Sequence, residues 1–152
     1  MTRIYLAGPM TGHPQFNFPA FDAAAADLRE RGYEVVSPAE LDSPEWRAYA
    51  LQSETGDASG GAKVTGETWA DLLARDLKVI CDGGIEAVVC LPGWQKSKGA
   101  RLETFVANAI LGLPVYVYVA HQSSRAAPIP RTELVAAWAG RGAHPAPRAV
   151  IV

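Results

Sequence analysis

The sequence predicts a doubly wound α/β domain with a parallel sheet of four to five strands and helices on both faces. Three observations carry this prediction. Short apolar runs of strand length alternate with longer segments whose apolar residues recur at helical spacing. The run 85–91, dominated by Ile, Val, Cys and Leu, reads as a central parallel strand covered on both faces. Turn formers, Gly8-Pro9, Ser37-Pro38 and Pro92-Gly93, close the strand-like runs.

Residues 4–7 are the first apolar run and end at Gly8-Pro9, as a buried strand entering a turn would. From 19 to 31, Phe21, Ala24, Ala25 and Leu28 trace one helical face, with Pro19 suited to a first turn and Gly32 just past the end. Residues 33–36 then form a second strand, completing the strand, helix, strand order of a right-handed crossover. Residues 42–66 are rich in Ser, Gly, Thr, Asp and Glu and show no period, which predicts a long mobile loop or lid. Within it, 44–49 can form one helical turn that either carries Trp46 and Tyr49 towards a ligand or pins the loop through Trp46.

Thr68 and Asp71 have the spacing of a capping box, and Trp69, Leu72, Leu73, Leu77 and Ile80 follow on one helical face. Asp76 falls on that same stripe. After the strand at 85–91, residues 100–111 read as a helix with Leu102, Phe105, Val106, Ala109 and Ile110 inward, stopped by Gly112. A strand at 115–119, a weaker helix at 132–139 and a last strand at 149–152 complete the expected order. Ligands in such folds lie beyond the carboxyl ends of the strands, where the loops 8–17, 92–99 and 121–131 fall.

The bulk properties narrow the function. A chain of 152 residues, 49% apolar, has the size of one domain able to bury roughly two-thirds of its unfolded surface. A formal charge of −2 with interspersed signs leaves no basic stripe for a nucleic-acid polymer. No apolar run approaches the roughly 20 residues of a membrane span, and the N-terminus lacks signal-peptide organisation, so a cytoplasmic protein is expected. Cys81 and Cys90 lack metal spacing and read as small core residues. His13, His121 and His144 are scattered over loops, and neither metal nor cofactor is expected.

Two carboxylates stand out. An unpaired Asp76 on a buried stripe costs several kcal/mol, so it must be compensated. It is either a catalytic group, a cap for a neighbouring loop, or the partner of Arg101. Glu103 lies near the start of the helix that follows the best strand, where it is either a ligand-facing carboxylate or an ordinary acid of a first turn. Ser97-Lys98-Gly99-Ala100 just before it offers a hydroxyl, a cation and small residues suited to a phosphate or sugar hydroxyl, without matching a recognised phosphate-loop pattern. Two carboxylates converging on one crevice suit glycosyl transfer, one attacking the anomeric carbon while the other orients it or manages protons. Tyr5 is either core or reaches the nucleophile, and Trp94 either stacks on a base or caps the strand end.

The stretches Ile4-Tyr5-Leu6-Ala7-Gly8-Pro9-Met10-Thr11-Gly12, Asn17, Pro19-Ala20-Phe21, Pro38-Ala39-Glu40, Leu91-Pro92-Gly93-Trp94 and Ser97-Lys98-Gly99-Ala100-Arg101-Leu102-Glu103 together resemble the nucleoside 2-deoxyribosyltransferase-like superfamily. Within it they are most similar to a branch of small proteins from phage and bacterial genomes, related to deoxynucleoside 5′-monophosphate N-glycosidases. The resemblance covers residues 5–118. It implies a flavodoxin/Rossmann-like fold in which Glu103 bonds covalently to C1 of the sugar, Asp76 orients it and Tyr5 rests against it. It further implies a substrate-binding set of Gly8, Met10, Thr11, Gly12, Asn17, Trp94, Ser97, Lys98 and Gly99, and a homodimer or larger homo-oligomer with shared sites.

The transferases of that superfamily carry a further acid shortly before the nucleophile, whereas this chain has Trp94-Gln95-Lys96-Ser97. Lys96, Lys98 and Arg101 form a basic rim instead, favouring a phosphorylated substrate and hydrolysis. The expected activity is therefore cleavage of a (deoxy)nucleoside 5′-monophosphate to free base. Deoxyribosyl transfer between bases and a non-catalytic nucleotide-binding or sequestering module are the alternatives.

Overall fold

The computed structural model describes residues 1–121 and 127–140, so the strand expected at 149–152 and His144 lie outside the described residues. Strands β1 (Arg3–Ala7), β2 (Glu34–Val36), β3 (Ala87–Cys90) and β4 (Val115–Val117) form one all-parallel sheet in the order β2-β1-β3-β4. The doubly wound class predicted from the sequence is the one observed. The chain winds outward from β1 to β2, returns across β1 to β3 and continues to β4, which places the switch point between β1 and β3. Their ends are level there, with Ala7 opposite Cys90.

Alternation along β1 divides the interior into two layers. Ile4 and Leu6 join Val89 and Leu91 beneath α1 (Phe18–Glu30), whose Phe21, Ala24, Ala25 and Leu28 all point inward as their spacing requires. Tyr5 and Ala7 join Val88 and Cys90 on the other face, covered by α5 (Trp69–Asp82), α6 (Lys98–Phe105) and α7 (Arg131–Trp138). The capping box at the start of α5 forms in both directions between Thr68 and Asp71. Cys90 is core as expected, but Cys81 is exposed, because the buried stripe of α5 passes through Asp76 and Ile80 and leaves position 81 outside it. Among the described residues no helix is long and apolar enough to cross a membrane.

Two segments differ from the sequence expectation. Residues 42–66 are not a structureless loop: after the short α2 (Pro38–Leu41), they fold into α3 (Pro44–Gln52) and α4 (Ala58–Thr65). The glycines that suggest looseness there have a packing role. A Cβ on Gly61 would collide with the Trp46 ring and one on Gly60 with the Tyr49 hydroxyl, so only glycine lets α4 lie against these two aromatics. Trp46 is buried and packs edge-on against Phe16 at 5.8 Å, with Tyr49 at 6.0 Å.

The second difference is the phase of α6. Its buried residues are Ala100, Glu103 and Thr104, followed by Ala107, while Leu102 and Phe105 are each 39% exposed and Ile110 65%. Thr104 and Glu103 can face inward because both are hydrogen-bonded: Thr104 Oγ1 donates to the Ala100 carbonyl at 2.8 Å and accepts from Trp138 Nε1 at 3.1 Å. Phe105 instead packs edge-on against Trp138 on the outside, at 5.2 Å. Beyond Phe105 the helix widens into a π turn over Val106–Ile110, which shifts the later residues out of the expected register.

The first loop is held by a left-handed turn. Gln15, Phe16 and Asn17 all have φ between 51° and 59°, a conformation costing roughly 1–2 kcal/mol per residue. Its hydrogen bonds run to α3 and its end: Gln15 N to the Ser53 carbonyl at 2.7 Å, Gln15 Nε2 to the Leu51 carbonyl at 3.0 Å. The α3–α4 pair thus braces the loop that leads out of β1. Gly61→Ala is expected to lower stability by about 1–3 kcal/mol through overpacking against Trp46, despite the gain alanine normally brings inside a helix. Urea denaturation measures it, and an unchanged midpoint would show that α3 and α4 do not pack on this glycine.

Candidate active site

The switch point between β1 and β3 opens into a cavity of about 540 Å³. After β3, Pro92-Gly93 turns the chain through a 3-10 segment, Trp94–Lys96, and Ser97 caps α6 by accepting from the Ala100 amide at 3.2 Å. Because α6 begins at Lys98, Glu103 sits in its second turn and faces inward, not as an ordinary acid of an exposed first turn. Tyr5, wholly buried on β1, donates its hydroxyl to Glu103 Oε1 at 3.3 Å. Asp76 reaches the same cavity from the buried stripe of α5. The sheet and two helices thus bring together three residues separated by up to 98 positions.

Of the other residues expected to bind substrate, Gly8, Met10, Thr11, Ser97, Lys98 and Gly99 line the cavity. Gly12, Asn17 and Trp94 are not among the lining residues. Gly12 donates its amide to the Gly56 carbonyl at 2.9 Å and Asn17 Nδ2 donates to the Pro9 carbonyl at 3.0 Å, so both shape the first loop from behind. Trp94 is buried in the core below α6, where its ring has no face to offer a base. On the rim, Lys96 and Lys98 face the cavity and Arg101 does not. In the third loop expected at the sheet edge, His121 and residues 127–131 do not line the cavity, and residues 122–126 lie outside the described set.

The partner of Asp76 is Arg75, not Arg101. Arg75 Nε and Nη2 both donate to Asp76 Oδ1, at 3.0 and 2.8 Å, while Nη1 donates to Asp42 Oδ1 at 2.6 Å. Asp42 and Arg75 also line the cavity, and neither is evident from spacing. Adjacent helical residues do not ordinarily face each other, which hides the Arg75–Asp76 contact, and Asp42 meets Arg75 only through the tertiary fold. Trp69 belongs to the wall as well, 43% exposed at the first position of α5. Its place next to a helix cap, ahead of the part of the stripe that packs, is the signal that separates it from core.

Burial governs the electrostatics. It pushes the Glu103 carboxyl up to about 8, aided by the charge of Asp76 and opposed by the Tyr5 hydrogen bond and Arg75. Asp76 rises to about 6, again through burial, with Arg75 pulling it down. Burial and the neighbouring carboxylates hold Tyr5 well above its ordinary value, so it remains a phenol and a donor. Burial thus makes the acid pair hold a proton more tightly than free carboxylic acids do. Among the described residues no three His, Cys, Asp or Glu side chains are grouped so as to hold a metal ion.

A carboxyl that ionises at about 8 when folded and near 4.5 when free binds a proton more tightly in the native state, so its contribution to stability is lost as pH rises between those values. Glu103→Gln is therefore expected to gain on the wild type as pH rises from 5 to about 8.5. Melting temperatures of both proteins across that range test this, and a constant difference would show that ionisation of Glu103 is unopposed.

No curated protein and no solved structure matches the chain. A family model, Domain of unknown function (DUF4406), matches residues 2–117, which span all four strands, α5 and α6. With Tyr5, Asp76 and Glu103 all inside that match, the chain belongs to the DUF4406 family.

Proposed function

We propose that the chain hydrolyses the N-glycosidic bond of a (deoxy)nucleoside 5′-monophosphate through a covalent glycosyl-Glu103 intermediate. The observation that carries this reading is the buried pair Glu103 and Asp76 at the floor of a nucleotide-sized cavity, with Tyr5 buried behind them and hydrogen-bonded to Glu103. Two buried carboxyls held above their ordinary range, one contacted by a phenol, suit attack on an anomeric carbon better than metal-assisted or Ser/His chemistry.

Glu103 Oε attacks C1 of the sugar, and the C1–N bond breaks with its electron pair leaving on the base, which takes up a proton from water. A second water then attacks C1, the C1–O bond to Glu103 breaks to return the carboxylate, and the proton of that water goes to the hydroxide left by the first. Asp76 orients the sugar and Tyr5 steadies the nucleophile. Two groups in the cavity lining support the substrate class. The first amides of α6, the Ser97 hydroxyl and Lys96 and Lys98 offer the donors and charge a 5′-phosphate requires. Phe16, Trp46, Trp69 and Leu72 offer apolar surface on which a base can rest, with Trp69 in the stacking role. Self-association belongs to the same reading: exposed Leu102 and Phe105 on α6 give a neighbouring copy an apolar surface beside the site.

Incubating the protein with nucleoside monophosphates and nucleosides, with and without a second free base, tests the reading by chromatography of products. Free base from a monophosphate is the expected result. A new nucleoside would instead indicate transfer, and binding without product would indicate a sequestering module. Glu103→Ala is expected to lose about a hundredfold or more of the base release while its circular dichroism is unchanged. In the wild type, kcat/KM is expected to rise with pH as Glu103 ionises, with a midpoint towards the value of about 8 set by burial. A rate that falls steadily from pH 6 to 8 would remove a buried carboxylate from the nucleophile's role.

A further inference from the structure

Arg75 is the one cation in direct contact with the acidic floor of the cavity among the described residues, and it is held from two sides. Asp42, whose side chain is 3% exposed, takes Nη1, and Asp76 takes Nε and Nη2. Two carboxylates, Asp42 and Asp76, thus share one guanidinium, and Glu103 lines the same cavity as a third, hydrogen-bonded to Tyr5. Two of the three can be ionised beside Arg75 only because its planar fork serves both at once, which a lysine cannot reproduce.

The surroundings offer little else. Tyr5 faces the group from β1, Cys90 from β3 and Glu103 from α6, and Asp42 feels Glu67 and Arg47 from its own side. Lys96 and Lys98 line the cavity on the substrate side, without an ion pair to the acidic floor. The tether to Asp42 matters as much as the charge. A guanidinium released from Asp42 is free to turn into the cavity and neutralise a bound anion instead of Asp76.

We propose that Arg75, tethered by Asp42, is the positioning residue of the nucleophile: it fixes Asp76 as an oriented carboxylate and sets the pH at which Glu103 becomes able to attack. This rests on the reading of Glu103 as nucleophile. It assigns Arg75 no contact with the reacting atoms.

The test is a carbon-13 NMR titration of the side-chain carboxyls in wild type, Arg75→Met, Arg75→Lys and Asp42→Asn. Glu103→Gln and Asp76→Asn identify the two signals. Arg75→Met is expected to move the Glu103 midpoint up by about one unit or more, Arg75→Lys by less, and Asp42→Asn to move it down. In the base-release assay, Arg75→Met should lose about tenfold in kcat at pH 7, recover most of it at more alkaline pH, and change KM little. A Glu103 midpoint that stays put in folded Arg75→Met overturns the proposal, as does a loss of rate equal at every pH. If that variant does not fold, unmoved midpoints in both Arg75→Lys and Asp42→Asn overturn it equally. A wild type that releases no base while these midpoints shift would sink the glycosidase reading and leave standing only the control of Glu103 ionisation by Arg75.

Discussion

Placing the Glu103 carboxyl under α6, away from bulk water, constrains every element around it. An ionisable group buried there must be hydrogen-bonded, neutral or paired, since isolated burial of its charge costs several kcal/mol. Tyr5 supplies the hydrogen bond, which requires a tyrosine on the central strand with its hydroxyl on the helix side. Asp76 brings a second carboxylate and makes the first harder to ionise, which in turn requires Arg75, and Arg75 requires Asp42 to hold its other edge. The chain of dependence runs from α6 through β1 and α5 to the end of α2. Each link exists because the one before it would otherwise be an uncompensated buried group.

The same constraint explains why α6 presents apolar residues to solvent. A helix that must bury Glu103 and Thr104 cannot also bury Leu102 and Phe105, which lie on its other side. Thr104 keeps its hydroxyl satisfied within the helix and by Trp138, so α7 is fastened to α6 by a polar contact and an edge-on ring pair together.

What sequence reading captures here follows from how local each signal is. The first four strand positions, the inward face of α1 and the capping box of α5 depend on neighbours within a few residues, and these appear where periodicity and turn formers place them. Asp76 stands out because a carboxylate on an otherwise apolar stripe conflicts with packing, and such conflicts mark sites that the fold must compensate; Glu103 stands out by its place near the start of the helix that follows the central strand. The compensation is invisible from sequence because Asp42 and Arg75 meet across 33 positions through the tertiary fold. Glycines in 42–66 mislead for a different reason: glycine is used both where a chain turns freely and where a ring lies too close for any side chain, and composition does not separate the two. The inward face of α6 misleads because an apolar count favours Leu102 and Phe105, whereas hydrogen bonding allows polar residues to win the interior.

The close seating of Gly60 and Gly61 on Tyr49 and Trp46 makes one wall of the cavity rigid in a specific sense. That wall cannot be reshaped one side chain at a time, because enlarging either glycine displaces a ring, and the rings support the left-handed turn through Phe16. The part of the lining given by the first turns of α5 has no such interlock, since Trp69 is half in solvent and Leu72 and Leu73 are only partly covered. Divergence in ligand size or shape within this architecture is thus channelled to α5. Descendants that accept a bulkier or smaller ligand would vary at positions 69, 72 and 73 while holding the aromatic and glycine pair unchanged.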